Sequence, residues 1–126
     1  MRILLIDDDV FLRDMYATKF TEANHEVSSV DQADKAVQLL ENGESFDVIL
    51  VDMVMPGMSG VEFLQQVQNN GLCGGAVCVV LSNQGQKSDI DEATAAGAHD
   101  YIIKAENIPS EVVEKVEKIL ANTKQQ

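Results

Sequence analysis

Five polar side chains stand at the ends of four short apolar runs of this sequence: Asp7, Asp8, Asp52, Ser82 and Lys104. Carboxylates that lie close together repel one another, and a hard divalent cation relieves that repulsion. Mg²⁺ prefers oxygen ligands and is typically held by one or two carboxylates together with phosphate oxygens. If folding brings the five groups together, they predict a Mg²⁺ site in which Asp52 is a carboxylate nucleophile towards phosphorus.

Each residue of this set has a role in such a transfer and also a simpler explanation. Lys104 would offset charge on the transferring phosphoryl oxygens, and Ser82 would donate a hydrogen bond to one of them. Acids and serines after strands are also common as helix caps, and Asp9 is best explained as the cap of the first helix. A single lysine is usually a solvated surface charge, so no one of these residues indicates phosphoryl transfer by itself. The prediction is specific because suitable residue types occur together at four strand ends.

Alternating strand and helix segments are predicted to position these side chains. The predicted strands are residues 3–6, 26–30, 48–52, 76–81 and 100–103. A helical pattern follows each strand, with Asp31 as the predicted cap of the second helix and Pro109 in the first turn of the last. This order predicts a doubly wound α/β domain whose right-handed crossovers bring all strand carboxyl ends to one edge. Ligands of open parallel sheets bind at that edge.

Composition limits the classes of protein to which the chain can belong. With 126 residues, 45% of them hydrophobic, it is long enough for one domain with a substantial core. It has no apolar run near the ~20 residues that span a membrane and no signal peptide, so we expect a cytoplasmic protein without a membrane partner. The net charge of -12 argues against direct nucleic-acid binding. Cys73 and Cys78 lack metal-site spacing and are expected to be reduced thiols.

The motifs closely resemble the receiver domain of bacterial response regulators over residues 1–122. The matching segments are Asp7-Asp8, Asp52 with Met55-Pro56-Gly57-Met58-Ser59-Gly60 behind it, Ser82, Lys104, and Gly97-Ala98-His99-Asp100-Tyr101. The resemblance implies a flavodoxin-like (βα)5 fold with strand order 2-1-3-4-5. Residues 123–126 are expected to form a C-terminal tail.

The resemblance also implies a signalling phosphoacceptor rather than an enzyme. A sensor histidine kinase or a histidine phosphotransfer protein would pass its phosphoryl group to Asp52, and slower hydrolysis would follow. The Mg²⁺ ligands that the resemblance implies are Asp7, Asp8, Asp52 and the backbone carbonyl of Val54. The downstream partner, a separate protein or an output domain, is not identified by the sequence.

A conformational switch is the last property that the resemblance implies. Ser82 would move towards the phosphoryl group and Tyr101 would swing inward, remodelling the surface of helix four, strand five and helix five. Tyr101 also fits an ordinary half-buried strand aromatic.

Two positions depart from the family pattern. Ala105 follows Lys104 where the family usually has a proline in a cis peptide, and a cis bond without proline costs about 2.5–4 kcal/mol. We therefore predict a trans Lys104–Ala105 peptide and an altered loop. Asn83 and Gln84 follow Ser82 where the family usually has a small residue first, and they are expected to shift the lifetime of the phosphoryl group.

Alternative functions remain open on the sequence alone. A pseudo-receiver would keep the fold and signal by protein contacts without phosphorylation, although the intact set of acids, serine and lysine argues against it. A flavodoxin-like cofactor protein or a small phosphatase is disfavoured, because acids stand where a flavin phosphate would bind and no Gly-rich loop follows the first strand. The chain is either a stand-alone regulator or part of a longer one.

Overall fold

The computed structural model describes residues 1–124 and consists of a five-stranded parallel sheet between two layers of helices. The strands are β1 (Arg2–Ile6), β2 (Glu26–Val30), β3 (Val48–Val51), β4 (Val77–Ser82) and β5 (Asp100–Ile103). The helices are α1 (Val10–Glu22), α2 (Ala33–Glu41), α3 (Gly60–Asn69), α4 (Lys87–Ala95) and α5 (Pro109–Lys124), and a 3-10 turn spans Lys104–Glu106. The strand order β2-β1-β3-β4-β5 confirms the predicted flavodoxin-like fold.

The core lies on both faces of the sheet because successive strand residues point to opposite sides. In β1, Leu4 and Ile6 pack towards α2, α3 and α4, whereas Ile3 and Leu5 pack towards α1 and α5. All residues of β3 and β4 are buried, which explains their uninterrupted apolar runs. The edge strands β2 and β5 are partly exposed, which explains their weaker sequence pattern.

The register of the sheet aligns the strand ends. Ile6 pairs with Val51, Val51 pairs with Val80, and Ser82 pairs with Ile103. Because all pairs are parallel, the residues that follow β1, β3 and β5 lie at the same edge as the end of β4. The predicted convergence of the polar set at one edge is therefore confirmed.

Helix boundaries follow local capping chemistry, with one difference from the prediction. The Asp9 side chain caps α1 as predicted, by accepting a backbone N–H of the first turn at 3.0 Å, and Asn24 after the helix adopts a left-handed conformation at φ 69°. Gln32 rather than Asp31 occupies the N-cap position of α2, and its side chain makes no capping hydrogen bond. The predicted cap was wrong because the Asp31 carboxylate pairs with Lys35 Nζ at 2.8 Å, one helical turn ahead.

The C-terminal helix is longer than predicted. It continues through the first two residues of the predicted 123–126 tail, and residues 125–126 lie outside the described part of the chain. Within residues 1–124, no helix combines the length and apolar character that crossing a membrane requires.

Candidate functional site

Three aspartates form an acidic cluster at the carboxyl edge of the sheet. Carboxylate oxygens of Asp7, Asp8 and Asp52 all lie within 4.8 Å of one another. Asp7 and Asp52 are fixed by backbone bonds that extend the sheet, since Asp7 N donates to Val30 O and Asp52 N donates to Ile6 O. Asp7 is buried, Asp52 is half-buried and Asp8 is exposed, so the cluster opens towards solvent.

A buried lysine joins two of these carboxylates. Lys104 Nζ donates to Asp7 Oδ2 at 2.6 Å and to Asp52 Oδ2 at 2.9 Å. Burial alone would lower the pKa of Lys104, but the bonds to the two aspartates outweigh it and raise that pKa. Burial raises the pKa of Asp7, although the bond from Lys104 opposes this shift. The ammonium therefore offsets part of the repulsion inside the cluster.

The loop that carries Lys104 has the trans geometry predicted for it. The Lys104–Ala105 peptide bond is trans, and Lys104 begins the short 3-10 turn that follows β5. Asn107 closes this turn, because its Nδ2 donates to Ile103 O at 2.8 Å and its backbone N donates to Lys104 O at 3.3 Å. The lysine thus reaches the acids without a proline. Its turn depends on Asn107, a residue that the sequence reasoning missed.

The loop between β1 and α1 is held by a second residue that the sequence reasoning missed. Arg13 Nη1 donates to the backbone carbonyl of Asp7 at 2.8 Å. Asp9 N donates to Asp7 Oδ1 at 3.0 Å, which fixes the other carboxylate oxygen of Asp7. The signal in the sequence that could have identified this role of Arg13 is its position one helical turn after the Asp9 cap.

The loop after β3 brings a helix terminus close to Asp52. A Cβ atom at Gly60 would lie 2.9 Å from Met53 Cα and closer still to the Asp52 carbonyl, so only glycine fits there. Val54 N lies 3.4 Å from Asp52 Oδ1 and orients that oxygen. Ser59 and Glu62 form a reciprocal capping box that fixes the start of α3. The metal-ligand role of the Val54 carbonyl stays a prediction.

Ser82 and Tyr101 are linked through the backbone of Gln84. Ser82 Oγ accepts the Gln84 N–H at 3.2 Å, and the Tyr101 hydroxyl donates to the Gln84 carbonyl. Tyr101 is half-buried and packs against the α2–α4 side of the core, and this burial raises the pKa of its hydroxyl. The backbone of Gln84, rather than its exposed side chain, therefore joins the end of β4 to β5.

Comparison with known proteins agrees with this geometry. Residues 3–117 match the model of the response regulator receiver domain. The chain belongs to the response regulator receiver family. Chemotaxis protein CheY of Thermotoga maritima is 32% identical over 120 residues, which cover 94% of this chain and 96% of that protein.

Other receiver-family relatives are longer than this chain. The two-component response regulator PhoP of Pseudomonas aeruginosa is 30% identical over 104 residues, which cover 82% of this chain but 45% of that protein. The transcriptional regulatory protein ResD of Bacillus subtilis is 28% identical, and the match covers 50% of it. Receiver domains of this kind thus occur both alone and as parts of longer regulators.

Solved receiver structures superpose closely on this one. A CheY-like receiver domain protein from Methanospirillum hungatei superposes with a TM-score of 0.87 at 26% identity, covering 98% of this chain and 96% of that one. A response regulator from Chloroflexus aurantiacus superposes with a TM-score of 0.85 at 28% identity, covering 95% and 97%.

The acidic cluster of this receiver domain suits a hard divalent cation. Its three side chains offer only carboxylate oxygens, the donor type that Mg²⁺ prefers. The second carboxylate oxygen of Asp52 is not taken by Lys104, and the exposed Asp8 side chain makes the cluster accessible. A metal and a phosphoryl group can therefore both approach Asp52 from the solvent side.

Proposed function

We propose that this receiver domain accepts a phosphoryl group on Asp52 from the phosphohistidine of a sensor histidine kinase or of a phosphotransfer protein. The observation that carries the proposal is the Lys104 ammonium held between Asp7 and Asp52 at an acidic, solvent-open sheet edge. A structural ion pair needs one carboxylate. The half-buried second carboxylate and the exposed third one supply the oxygen ligands that a phosphoryl-transfer site with a divalent metal needs.

In the proposed reaction, an Asp52 carboxylate oxygen forms a bond to phosphorus while the bond from phosphorus to the donor imidazole nitrogen breaks. The imidazole keeps the electron pair of that bond and takes up a proton. Lys104 orients Asp52 before the transfer and then neutralises charge on a phosphoryl oxygen. Ser82 Oγ already accepts the Gln84 N–H, so its O–H remains to donate to another phosphoryl oxygen.

Mg²⁺ is the cofactor that this donor set fits. Asp7, Asp8, Asp52 and the backbone carbonyl of Val54 would hold the ion. When bound, it would supply positive charge to the carboxylate cluster and to the phosphoryl oxygens. The protein's own contribution is to oppose the rise in the Asp7 pKa that burial causes, which the hydrogen bonds from Lys104 and from the Asp9 backbone do.

The surroundings of the site fit docking of a phosphodonor protein. Four large apolar side chains are exposed on the segments that also carry the acids and the lysine: Val10 (61%), Phe11 (82%), Val54 (60%) and Ile108 (62%). A partner that covers this rim would bury apolar surface and exclude water from the transfer. The location of such a partnership in the cytoplasm stays a prediction of the sequence.

The proposed output is a surface change relayed through Gln84. Movement of Ser82 towards the phosphoryl group would shift the Gln84 backbone and with it the partner of the Tyr101 hydroxyl. Helix α4 next to this loop buries Ala93 as its one fully buried side chain among the described residues. An element held by so few contacts moves at low cost, and a downstream protein or output domain would read the α4, β5 and α5 surface.

The test measures the mass of the intact protein after incubation with acetyl phosphate and Mg²⁺. We expect a phosphoryl adduct in the wild type that requires Mg²⁺, is absent in Asp52→Asn and persists in the control Asp34→Asn, which changes an exposed acid of α2. Slow loss of the adduct measures the autodephosphorylation, which Asn83 and Gln84 are expected to tune. If Mg²⁺ binds but no adduct forms in the wild type, the proposal fails and a pseudo-receiver remains.

A further inference from the structure

The two cysteines lie in contact, away from the acidic site. Cys73 lies in the loop between α3 and β4, and Cys78 is the second residue of β4. Both are free thiols, and their Sγ atoms are 3.8 Å apart. A disulfide needs an Sγ–Sγ distance of about 2.0 Å, so a shift of roughly 2 Å closes the bond.

We propose that Cys73 and Cys78 form a reversible intramolecular disulfide when Cys73 reacts with a small-molecule disulfide. The half-buried Cys73 is reachable from solvent, whereas Cys78 is fully buried near the start of β4. The accessible Cys73 thiol therefore reacts first, and the buried Cys78 thiol then attacks the resulting mixed disulfide.

The chemistry of this site balances without a metal or cofactor. The Cys73 thiolate attacks one sulfur of the small disulfide, whose S–S bond breaks, and the expelled thiolate takes up a proton. Cys78 then gives up its proton and attacks Cys73 Sγ, which expels the second small thiol. Two protein thiols are oxidised to one disulfide, and one small disulfide is reduced to two thiols.

The loop around Cys73 can supply the movement that closure needs. Gly71 and Gly74 have positive φ values of 64° and 60°, and a Cβ at either position or at Gly75 would meet nothing within 4 Å. Cys78 by contrast is fixed, because its backbone N donates to His99 Nδ1 at 3.0 Å. Closure therefore moves the uncrowded glycine loop towards a stationary strand.

The contact between the thiols also favours this order of reaction. The hydrogen bond between the two sulfur atoms lowers the pKa of Cys73 and makes its thiolate more available. The same bond, together with burial, raises the pKa of Cys78, which stays a thiol until the mixed disulfide has formed.

Phosphoryl transfer is expected to survive closure of the disulfide. Cys78 lies near the start of β4, whereas Ser82 lies at its carboxyl end beside the acids. Oxidation therefore stiffens the end of β4 that is remote from Asp52. The oxidised protein should still form the Mg²⁺-dependent phosphoryl adduct, so failure of either proposal can be recognised independently.

The test incubates the folded chain with hydroxyethyl disulfide, a neutral probe that the protein's net charge does not repel. In the wild type we expect loss of both titratable thiols and an intact mass reduced by two hydrogen atoms, both reversed by dithiothreitol. Cys78→Ala should stop at the mixed disulfide and gain one hydroxyethylthio group. Cys73→Ser should stay unmodified until it is unfolded.

Three outcomes would overturn the proposal. They are a wild type that keeps the hydroxyethylthio adduct, one that forms a disulfide-linked dimer, and one that stays unmodified while its denatured sample reacts. Circular dichroism identifies a variant that fails to fold. In that case the intact mass of the wild type alone shows whether the intramolecular disulfide forms. An unchanged fold with a Cys73–Cys78 peptide cross-link in the proteolytic map supports the proposal.

Discussion

At the scale of single residues, Lys104 has two roles that an experiment can separate. It compensates buried negative charge, and it occupies carboxylate oxygens of Asp7 and Asp52 that a cation would otherwise use. Removing one partner from a buried ion pair leaves the other charge uncompensated, which costs several kcal/mol. A bound cation would then take over the lost compensation.

The variant Lys104→Met tests this separation, because methionine keeps much of the chain length without the charge. We expect the free energy of unfolding without Mg²⁺ to fall by about 3 kcal/mol. We also expect Mg²⁺ to restore stability in the variant by more than it stabilises the wild type. Urea denaturation with and without MgCl₂ measures both quantities.

The matched control for this prediction is Lys115→Met on the exposed face of α5. It removes the same charge from an exposed side chain that has no carboxylate within ion-pair distance among residues 1–124, so neither the loss of stability nor the larger Mg²⁺ effect is expected. Equal stabilisation by Mg²⁺ in Lys104→Met and wild type would contradict the idea that the ammonium and the cation compensate the same charge.

At the scale of elements, the approach of α3 to β3 fixes the position of Asp52. A side chain at Gly60 would collide with the backbone of residues 52–53, which cannot rotate away as a flexible side chain can. Gly60→Ala should therefore cost about 3 kcal/mol and also lower the rate of adduct formation at Asp52. Thermal unfolding and intact-mass kinetics measure the two effects.

Gly75→Ala is the control for this close approach. It lies in open space, without a positive φ angle, so a methyl group there should change stability by less than about 0.5 kcal/mol. If both alanine variants lost the same stability, the cost would reflect glycine replacement in general rather than the contact between α3 and the Asp52 backbone.

The link between β4 and β5 yields a prediction about loop dynamics. Tyr101→Phe removes the hydrogen bond to the Gln84 carbonyl, which should cost about 1 kcal/mol and release the loop before α4. Amide hydrogen exchange of residues 83–86 should become faster. Tyr16→Phe, on the opposite face of the sheet, should leave that exchange unchanged.

An unchanged exchange rate in Tyr101→Phe would instead identify this tyrosine as an ordinary half-buried aromatic. Tyr16 and Tyr101 are the only tyrosines in the chain, so the two variants together test every tyrosine hydroxyl.

The elements were predictable because apolar patterning and capping act locally. The short apolar runs before Asp7 and Asp52 predicted buried strands, and these strands and the Asp9 cap were confirmed. The Asp31 cap was wrong because a carboxylate near a helix start can also pair with a lysine one turn on, and sequence does not rank the two. The observed ends of β3 and β4 differ by one residue from the predicted ends. Backbone hydrogen bonding, rather than composition, decides where a strand ends.

The contacts of long side chains and irregular loops were not predictable in the same way. The Asn107 bond that closes the Lys104 turn depends on a loop path that propensities do not specify. The reach of Arg13 to the Asp7 carbonyl depends on a rotamer. The contact between Cys73 and Cys78 depends on the path of the loop that holds Cys73 between Gly71 and Gly74, both of which have positive φ angles. Convergence at the sheet edge was predictable, because topology alone imposes it.

At the scale of the whole molecule, negative charge opposes folding in two ways. The net charge of -12 produces general repulsion over the surface, and the acidic cluster adds local repulsion at one sheet edge. Monovalent salt screens the first, because exposed charges separated by more than the Debye length of about 10 Å are largely screened. A divalent cation bound by several carboxylates acts on the second, by mass action on the folded state.

These two components should be separable in one set of melting curves. Raising NaCl should stabilise the wild type gradually, without saturation at a stoichiometric concentration. Adding MgCl₂ at constant ionic strength should stabilise it further, by about 2.7 kcal/mol when the ion concentration is one hundred times its dissociation constant. Chelation with EDTA should reverse only the second increment.

The variant Asp8→Asn tests whether the stabilisation by Mg²⁺ comes from the acidic cluster. Asp8 is exposed, and Lys104 donates to Asp7 and Asp52 rather than to Asp8. The variant keeps the buried ion pair and the NaCl response but should lose most of the Mg²⁺ response. Asp34→Asn removes the same charge from α2 and should keep both responses. Loss of one ligand should weaken binding at a three-carboxylate site, whereas screening depends on net charge alone. If Mg²⁺ still stabilised Asp8→Asn as much as the wild type, the ion would act on the general surface charge instead of on the cluster.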